Sequence, residues 1–358
     1  AVSSFIYKFA KIINIVSIAI INNRLNWVDW AKAIAITLVV LGHLPMDKDN
    51  YLIRYLTVFH MPLFFFISGF LTKIDKGTPI RTRKYMTSLI LPYFIYNVVF
   101  YPYWLVRYYI ENGHQLGLLY DWTIKPFLGI LLLQYESSIS CNVNGVTWFL
   151  AALLLMRGIF EVSLRWRYGK ILLYFLALLC ISGYIINEQV LFTKDLTPIG
   201  FMKCMPFFLL GYELKGTPII SSTKLSKCIS CTFIGFFISQ LTFILSRQHP
   251  DIITGPILFY ATCLGGILFV ISVSHLFDNM HSIVIENISK GTLMTMGLHW
   301  MIMGTINFMC SSFFTSNHSL YIFNTLQGLI VCIIIEAIIY PCIIWSMRHA
   351  PLLIGKKL

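Results

Sequence analysis

Ten segments of the sequence are each long and apolar enough to cross a bilayer as a helix: 26–44, 51–72, 86–110, 145–163, 170–187, 198–214, 228–246, 255–277, 291–312 and 320–346. A spanning helix needs about 20 mostly apolar residues, within a range of about 17–25. Inside hydrocarbon every backbone N–H and C=O must be satisfied within the segment itself, which leaves helices as the solution for such runs. Composition agrees. The 358 residues are 57% hydrophobic and only 12% charged, against about 25% charged in a soluble globular domain. Disordered, fibrous and ordinary soluble-enzyme classes are excluded. The expected fold is all-α: a polytopic integral membrane protein of about ten transmembrane helices.

Around this unit (26–346) the chain is expected to carry an amphipathic N-terminal segment (1–25) and a tail (347–358). The apolar stretch 5–21 includes Lys8 and Lys11, which suits a helix lying on the membrane surface better than a secretory signal. The stretch 122–135 is too short to span and holds Pro126, so an interfacial or re-entrant helix is expected inside the 111–144 loop. No internal repeat supports the inverted-repeat layout of many transporters.

The net charge of +12 reads as topology rather than as nucleic-acid binding. With the spans in alternation, 19 of the 27 basic residues fall on one side and 6 on the other, while Lys32 and Lys203 lie within spans. The positive-inside rule then makes both termini cytoplasmic. Five of those basic residues, Lys73, Lys76, Arg81, Arg83 and Lys84, share one short loop. Cys228 and Cys231 have CxxC spacing, but no second pair completes a zinc site and no metal is expected.

Ionisable groups inside spans are costly and are functional candidates by default. The first span holds Asp29, Lys32 and His43. Eleven residues at 100° each make three turns plus about 20°, so Lys32 and His43 share one helix face about 16 Å apart along the axis. Asp29, one turn before Lys32, is placed to pair with it. The plainer alternative is an interfacial ion pair, with His43 marking the helix end. His60 in the second span lies near mid-membrane and needs a polar partner. Lys203, Glu213, His299 and Glu336 complete the set, with Glu336 a possible partner for Lys203 or for a histidine.

These residues bring a resemblance into view. Lys32-x10-His43 is followed by Phe59-His60-Met61-Pro62-Leu63-Phe64-Phe65-Phe66-Ile67-Ser68-Gly69-Phe70. Together they resemble the membrane-bound acyltransferase family 3, particularly its sugar O-acetyltransferases of the fucose 4-O-acetylase kind. Leu89-Ile90-Leu91-Pro92-Tyr93, Trp148-Phe149-Leu150, Pro206 to Tyr212 and Gly297-Leu298-His299 are similar to later landmarks of that family. One departure is that Thr87 and Ser88 stand near the third-span landmark, where the family has spaced arginines; Arg81, Arg83 and Lys84 supply the charge instead.

The resemblance implies an acyl-CoA donor, acetyl by default, and a hydroxyl of a cell-surface polysaccharide or lipid-linked sugar as acceptor. Localisation in a bacterial inner membrane, part of the cell envelope, follows from it. Lys73, Arg81, Arg83 and Lys84 are the expected contacts for CoA phosphates. His43 is the expected general base, acting with Lys32, Asp29 and His299; an acyl-His43 intermediate is the alternative. Lys203, His60 or His299 would stabilise the oxyanion, and His60, Lys203 and Trp148 would meet the sugar, Trp148 by stacking. The competing class is a proton-coupled transporter or flippase of a polar or lipid-linked solute, using the same buried groups.

Overall fold

A computed structural model describes residues 24–47, 49–74, 82–134, 136–191, 201–217, 224–248, 254–314 and 320–356. The N-terminal segment before residue 24 and Arg81 lie outside these ranges. Each of the ten predicted spans is largely helical where it is described, but the last becomes helical only at Thr325, residues 320–324 leading into it without helix. The helices are α1 (Asn26–His43), α2 (Tyr51–Leu71), α3 (Leu91–Glu111), α4 (Ile124–Leu131), α5 (Trp148–Arg165), α6 (Gly169–Leu191) and α7 (Met205–Leu214). They continue as α8 (Leu225–Gln248), α9 (Thr254–Leu276), α10 (Ile283–Lys290), α11 (Thr292–Phe314) and α12 (Thr325–His349).

Seven of the helices, counted among the described residues, are long and apolar enough to span: α2, α3 with its leading turns, α5, α8, α9, α11 and α12. The other three predicted spans are helical but fall short of that measure. Helix α1 carries Asn26, Asp29, Lys32 and His43 within 18 residues. The apolar stretch Gly169–Ile185 of α6 and the whole of α7 are shorter.

Local sequence explains the ends. Asn50 caps α2 by accepting from the Ile53 amide, and Asn324 with Gln327 forms a reciprocal capping box on α12. A turn at Thr82–Tyr85 and a π-helical turn at Met86–Ile90 run directly into α3, and Pro92, which has no N–H to give the helical ladder, sits just after the π-helical turn.

Helix α2 is the centre of the bundle, packed against α7, α1 and α9. Its contact with α7 is a backbone approach. A Cβ added at Gly69 would lie 2.0 Å from the Phe208 carbonyl oxygen, and one at Gly211 would lie 2.0 Å from that of Phe66. Small residues at such a crossing let helices pack closely where no hydrophobic force draws them together in lipid. The outer faces of α8 and α12, including Phe233, Phe237, Leu326 and Ile333, are exposed and apolar, as suits lipid contact.

Two connecting segments fold into the bundle. In the 111–144 loop, α4 forms as expected, with Pro126 in its first turn. The chain then turns through Leu133 and Gln134 at φ of 58° and 68°. The buried Gln134 amide holds this strained turn. It donates to Asn97 Oδ1 (2.7 Å) and accepts from the Val143 and Asn144 amides (2.9 and 3.2 Å). At the other end, Pro351–Ile354 forms a 3-10 turn after α12. It is tied to α3 by the Tyr96 hydroxyl, which donates to the Leu353 carbonyl (2.6 Å). The start of α1 and this C-terminal turn lie at the same end of the bundle, where Arg24 and Glu286 are 3.5 Å apart.

Candidate active site

A cavity of about 230 Å³ runs between α1, α2 and α5. From α1 it is lined by Lys32, Ile36, Val39 and His43, the single face that helical spacing predicts. From α5 it is lined by Trp148, Phe149, Leu153 and Arg157. The two helices run in opposite directions here, so Trp148 shares an end with His43, and Arg157 shares an end with Lys32. Both faces give the same length: about 16 Å from Lys32 to His43 and about 14 Å from Arg157 to Trp148. Lys290, Ser88 and Gly355 close the basic end. Gly355 has φ of 71°, and a Cβ there would lie 2.8 Å from Leu293 Cδ1, so the wall is tight.

The basic end is held by a clamp that differs from the expected one. Asp29 does not pair with Lys32. Arg24 donates to both its oxygens, Nε to Oδ2 at 2.5 Å and the second nitrogen to Oδ1 at 2.8 Å. The Ser289 hydroxyl adds a third bond to Asp29 Oδ1 (2.5 Å), and the Lys32 ammonium donates to the Ser289 carbonyl. A planar guanidinium fork matches a carboxylate better than a lysine one turn away, and α10 supplies the serine from far along the chain. Asp29 thus sits behind Lys32 and positions it. Its hydrogen bond with Asp29 pushes the Arg24 pKa above the ordinary value, despite partial burial. Nearby, burial and the cations of Lys290 and Arg24 push the Lys356 ammonium down. Arg157 enters this end with Nε buried and without a hydrogen-bond partner.

At the other end three imidazoles converge. The His43 ring lies 5.1 Å from that of His299 and 6.4 Å from that of His60, with Trp300 at 6.3 Å. Each histidine turns Nδ1 toward a backbone carbonyl of its own helix: His43 to Val39 (2.7 Å), His60 to Leu56 (3.0 Å) and His299 to Thr295 and Met296 (2.9 Å each). A carbonyl only accepts, so Nδ1 carries the proton in all three and Nε2 of each neutral ring is a bare lone pair. On His43, at the cavity wall, that lone pair is what a general base needs. The same fact corrects the oxyanion expectation for His60 and His299. In the neutral form neither has a proton on Nε2 to donate, and His299 Nε2 is buried without a partner.

The profile of the acyltransferase 3 family, described as an acyltransferase domain, spans residues 25–340. The chain belongs to this family. The nodulation protein NolL of Sinorhizobium fredii (strain NBRC 101917 / NGR234) is 27% identical over 212 residues, which make up 53% of this chain and 49% of NolL. The chain thus matches about half the length of this curated relative. No solved structure matches it.

Within this acyltransferase-family bundle, not every predicted site residue reaches the cavity. Trp148 and Lys32 line it with His43; His60 and His299 are buried around His43. Lys203 is elsewhere, its ammonium 4.8 Å from the Tyr184 ring and 5.3 Å from that of Phe259. Arg83 and Lys84 are exposed on the turn before α3, and Lys73 is exposed beyond α2. Beside Lys73, the Lys215 ammonium is pushed down by burial and donates to the Thr72 carbonyl (2.6 Å). Glu336 accepts from Thr37 (2.5 Å) rather than from Lys203 or a histidine. Glu213 pairs with Lys170 at 3.1 Å.

Arg157 and Lys290, two of the 19 basic residues on the cytoplasmic side, both line the cavity. Arg157 lies inside a predicted span, which was the available signal. Cys141, in the loop near the imidazole end, has its thiol pushed up to about 11, chiefly by burial. It is therefore a protonated, poor nucleophile at neutral pH.

Proposed function

We propose that the chain is a membrane O-acyltransferase that moves an acetyl group from acetyl-CoA to a hydroxyl of a cell-surface or lipid-linked glycan, with His43 as general base. The observation that carries this reading is the two-ended cavity: cations at one end and a bare imidazole nitrogen at the other, about 16 Å apart along α1. A donor with anionic phosphates at one end and a thioester at the other suits that span. The apolar walls between suit its slim arm.

In the proposed reaction the acceptor hydroxyl gives its proton to His43 Nε2 as its oxygen attacks the thioester carbonyl. The C–S bond breaks, and the sulfur leaves with the proton returned by the imidazolium. The products are an ester and free CoA. The basic end is assigned to the cytoplasm by the positive-inside rule, in a bacterial inner membrane. Trp148, at the imidazole end, would stack on a sugar face.

The test is to reconstitute the protein in vesicles with radiolabelled acetyl-CoA, with and without glycan acceptors. Acceptor-dependent release of CoA and label in the glycan support the reading. Solute movement without CoA release would favour a transporter. Label trapped on His43 without acceptor would make that residue a nucleophile instead of a base.

A further inference from the structure

We infer that Arg157, with Lys32 and Lys290, anchors a phosphate of the acyl donor inside the bundle, and so restricts the donor to thioesters joined to that phosphate by a long, slim arm. This rests on the acyl-thioester reading above and deepens it. Among the described residues, Arg157 has no carboxylate within ion-pair distance. The nearest one on its own helix, Glu161, is taken by Arg165 (2.5 Å) and by the Tyr85 hydroxyl (2.8 Å). Lys290 leans on Glu286, and Lys32 donates to a backbone carbonyl. Among the described residues lining the cavity there is no Asp or Glu. Three cations therefore face a narrow space with no anion on its wall, and Arg157 Nε is a buried donor without an acceptor.

Buried cations are expensive unless paired. A phosphate supplies the missing acceptors, and a guanidinium binds it through a fork that a lysine lacks. The position of the anchor then sets the donor class. A phosphate at Arg157 lies about 14–16 Å from Trp148 and His43. An acyl phosphate, whose phosphorus is bonded directly to the acyl oxygen, cannot occupy both ends. The wall between is apolar (Ile36, Val39, Phe64, Phe149 and Leu153), so it accepts an uncharged arm but not a second charge. A phosphopantetheine arm meets both demands. The exposed Arg83 and Lys84 lie outside this space and are left for more distal phosphates.

The experiment compares 4′-phosphopantetheine with pantetheine by titration calorimetry on the full chain in lipid nanodiscs, for wild type, Arg157→Gln and Arg157→Lys. S-acetyl derivatives of both are assayed for transfer in parallel. In wild type the phosphate should improve binding by about 10- to 100-fold, the value of a charge-assisted contact. Arg157→Gln should bring the ratio close to one while leaving pantetheine binding unchanged, and Arg157→Lys should keep part of it. Reading the ratio on protein that still binds pantetheine prevents misfolding from imitating the effect. A wild-type ratio near one, or equal weakening of both ligands by Arg157→Gln, overturns the anchor even if acetyl transfer proceeds. An Arg157-dependent ratio without any transfer leaves the anchor standing and removes the proposed reaction.

Discussion

His43 and His299 stand with ring centroids 5.1 Å apart, and each commits its Nδ1 proton to a carbonyl of its own helix. The two rings are therefore fixed in orientation and tautomer before any ligand arrives. This division of labour makes distinct predictions. His43→Ala should lower kcat by about 10²–10⁴-fold, the usual worth of a positioned base, with little change in donor KM. His299→Phe keeps a ring beside His43 but removes the imidazole nitrogens next to a developing imidazolium. It should lower kcat by roughly tenfold and spare both KM values, with His299→Gln recovering part of the loss. Steady-state kinetics in vesicles check both, and equal kcat in wild type and His43→Ala would remove His43 from the chemistry.

Asp29 holds the basic end through three hydrogen bonds and does not line the cavity. Asp29→Asn keeps an acceptor but loses the charge that Arg24 meets. Because Arg24 is 37% exposed, solvent screens part of the pair. The expected loss is about 1–2 kcal/mol, below that of a fully buried pair. Thermal unfolding should show it as a lower midpoint. Donor KM should rise through misplacement of Lys32, while kcat at saturating donor stays near wild type.

Much of this was readable from local periodicity. The shared face of Lys32 and His43 follows from helical geometry alone, and the cavity uses that face. The ten apolar segments are helical for the same reason. What escaped was set by distance along the chain. Ser289 reaches Asp29 from 260 positions away, and no spacing rule predicts that it will displace Lys32 as the partner. Arg157 is a different case: it is one of the 19 basic residues on the cytoplasmic side, and its position inside the 145–163 apolar span marks it as costly. The tautomers of the three histidines required knowing which carbonyls their rings would meet.

The α2–α7 crossing predicts opposite outcomes for two similar substitutions. Gly211→Ala would place a methyl 2.0 Å from a backbone oxygen of α2, so the helices must separate. The cost is about 1–3 kcal/mol, as is typical of overpacking, seen as a lower unfolding midpoint and reduced yield of folded protein. Gly158→Ala, also in a helix, meets nothing within 4 Å. It should be neutral or stabilising by about 0.5–1 kcal/mol through helix propensity. Equal effects at the two positions would contradict the packing.

Lys356 predicts a pH dependence of donor affinity. Burial and the nearby Lys290 and Arg24 push its ammonium down, so it loses its proton at a lower pH than an ordinary lysine. An anion at the basic end favours the charged form and raises that pKa on binding. Between the free and bound values, binding must therefore take up a proton. By linkage, affinity is fully present below the free-enzyme pKa and falls as pH rises through it. Calorimetric titration of CoA in two buffers of different ionisation enthalpy reads this uptake directly. Lys356→Arg should keep the affinity at alkaline pH and abolish the uptake, and Lys356→Met should lose affinity at low pH and approach wild type as pH rises through the Lys356 titration. Proton uptake persisting in Lys356→Arg would assign the titration to another group.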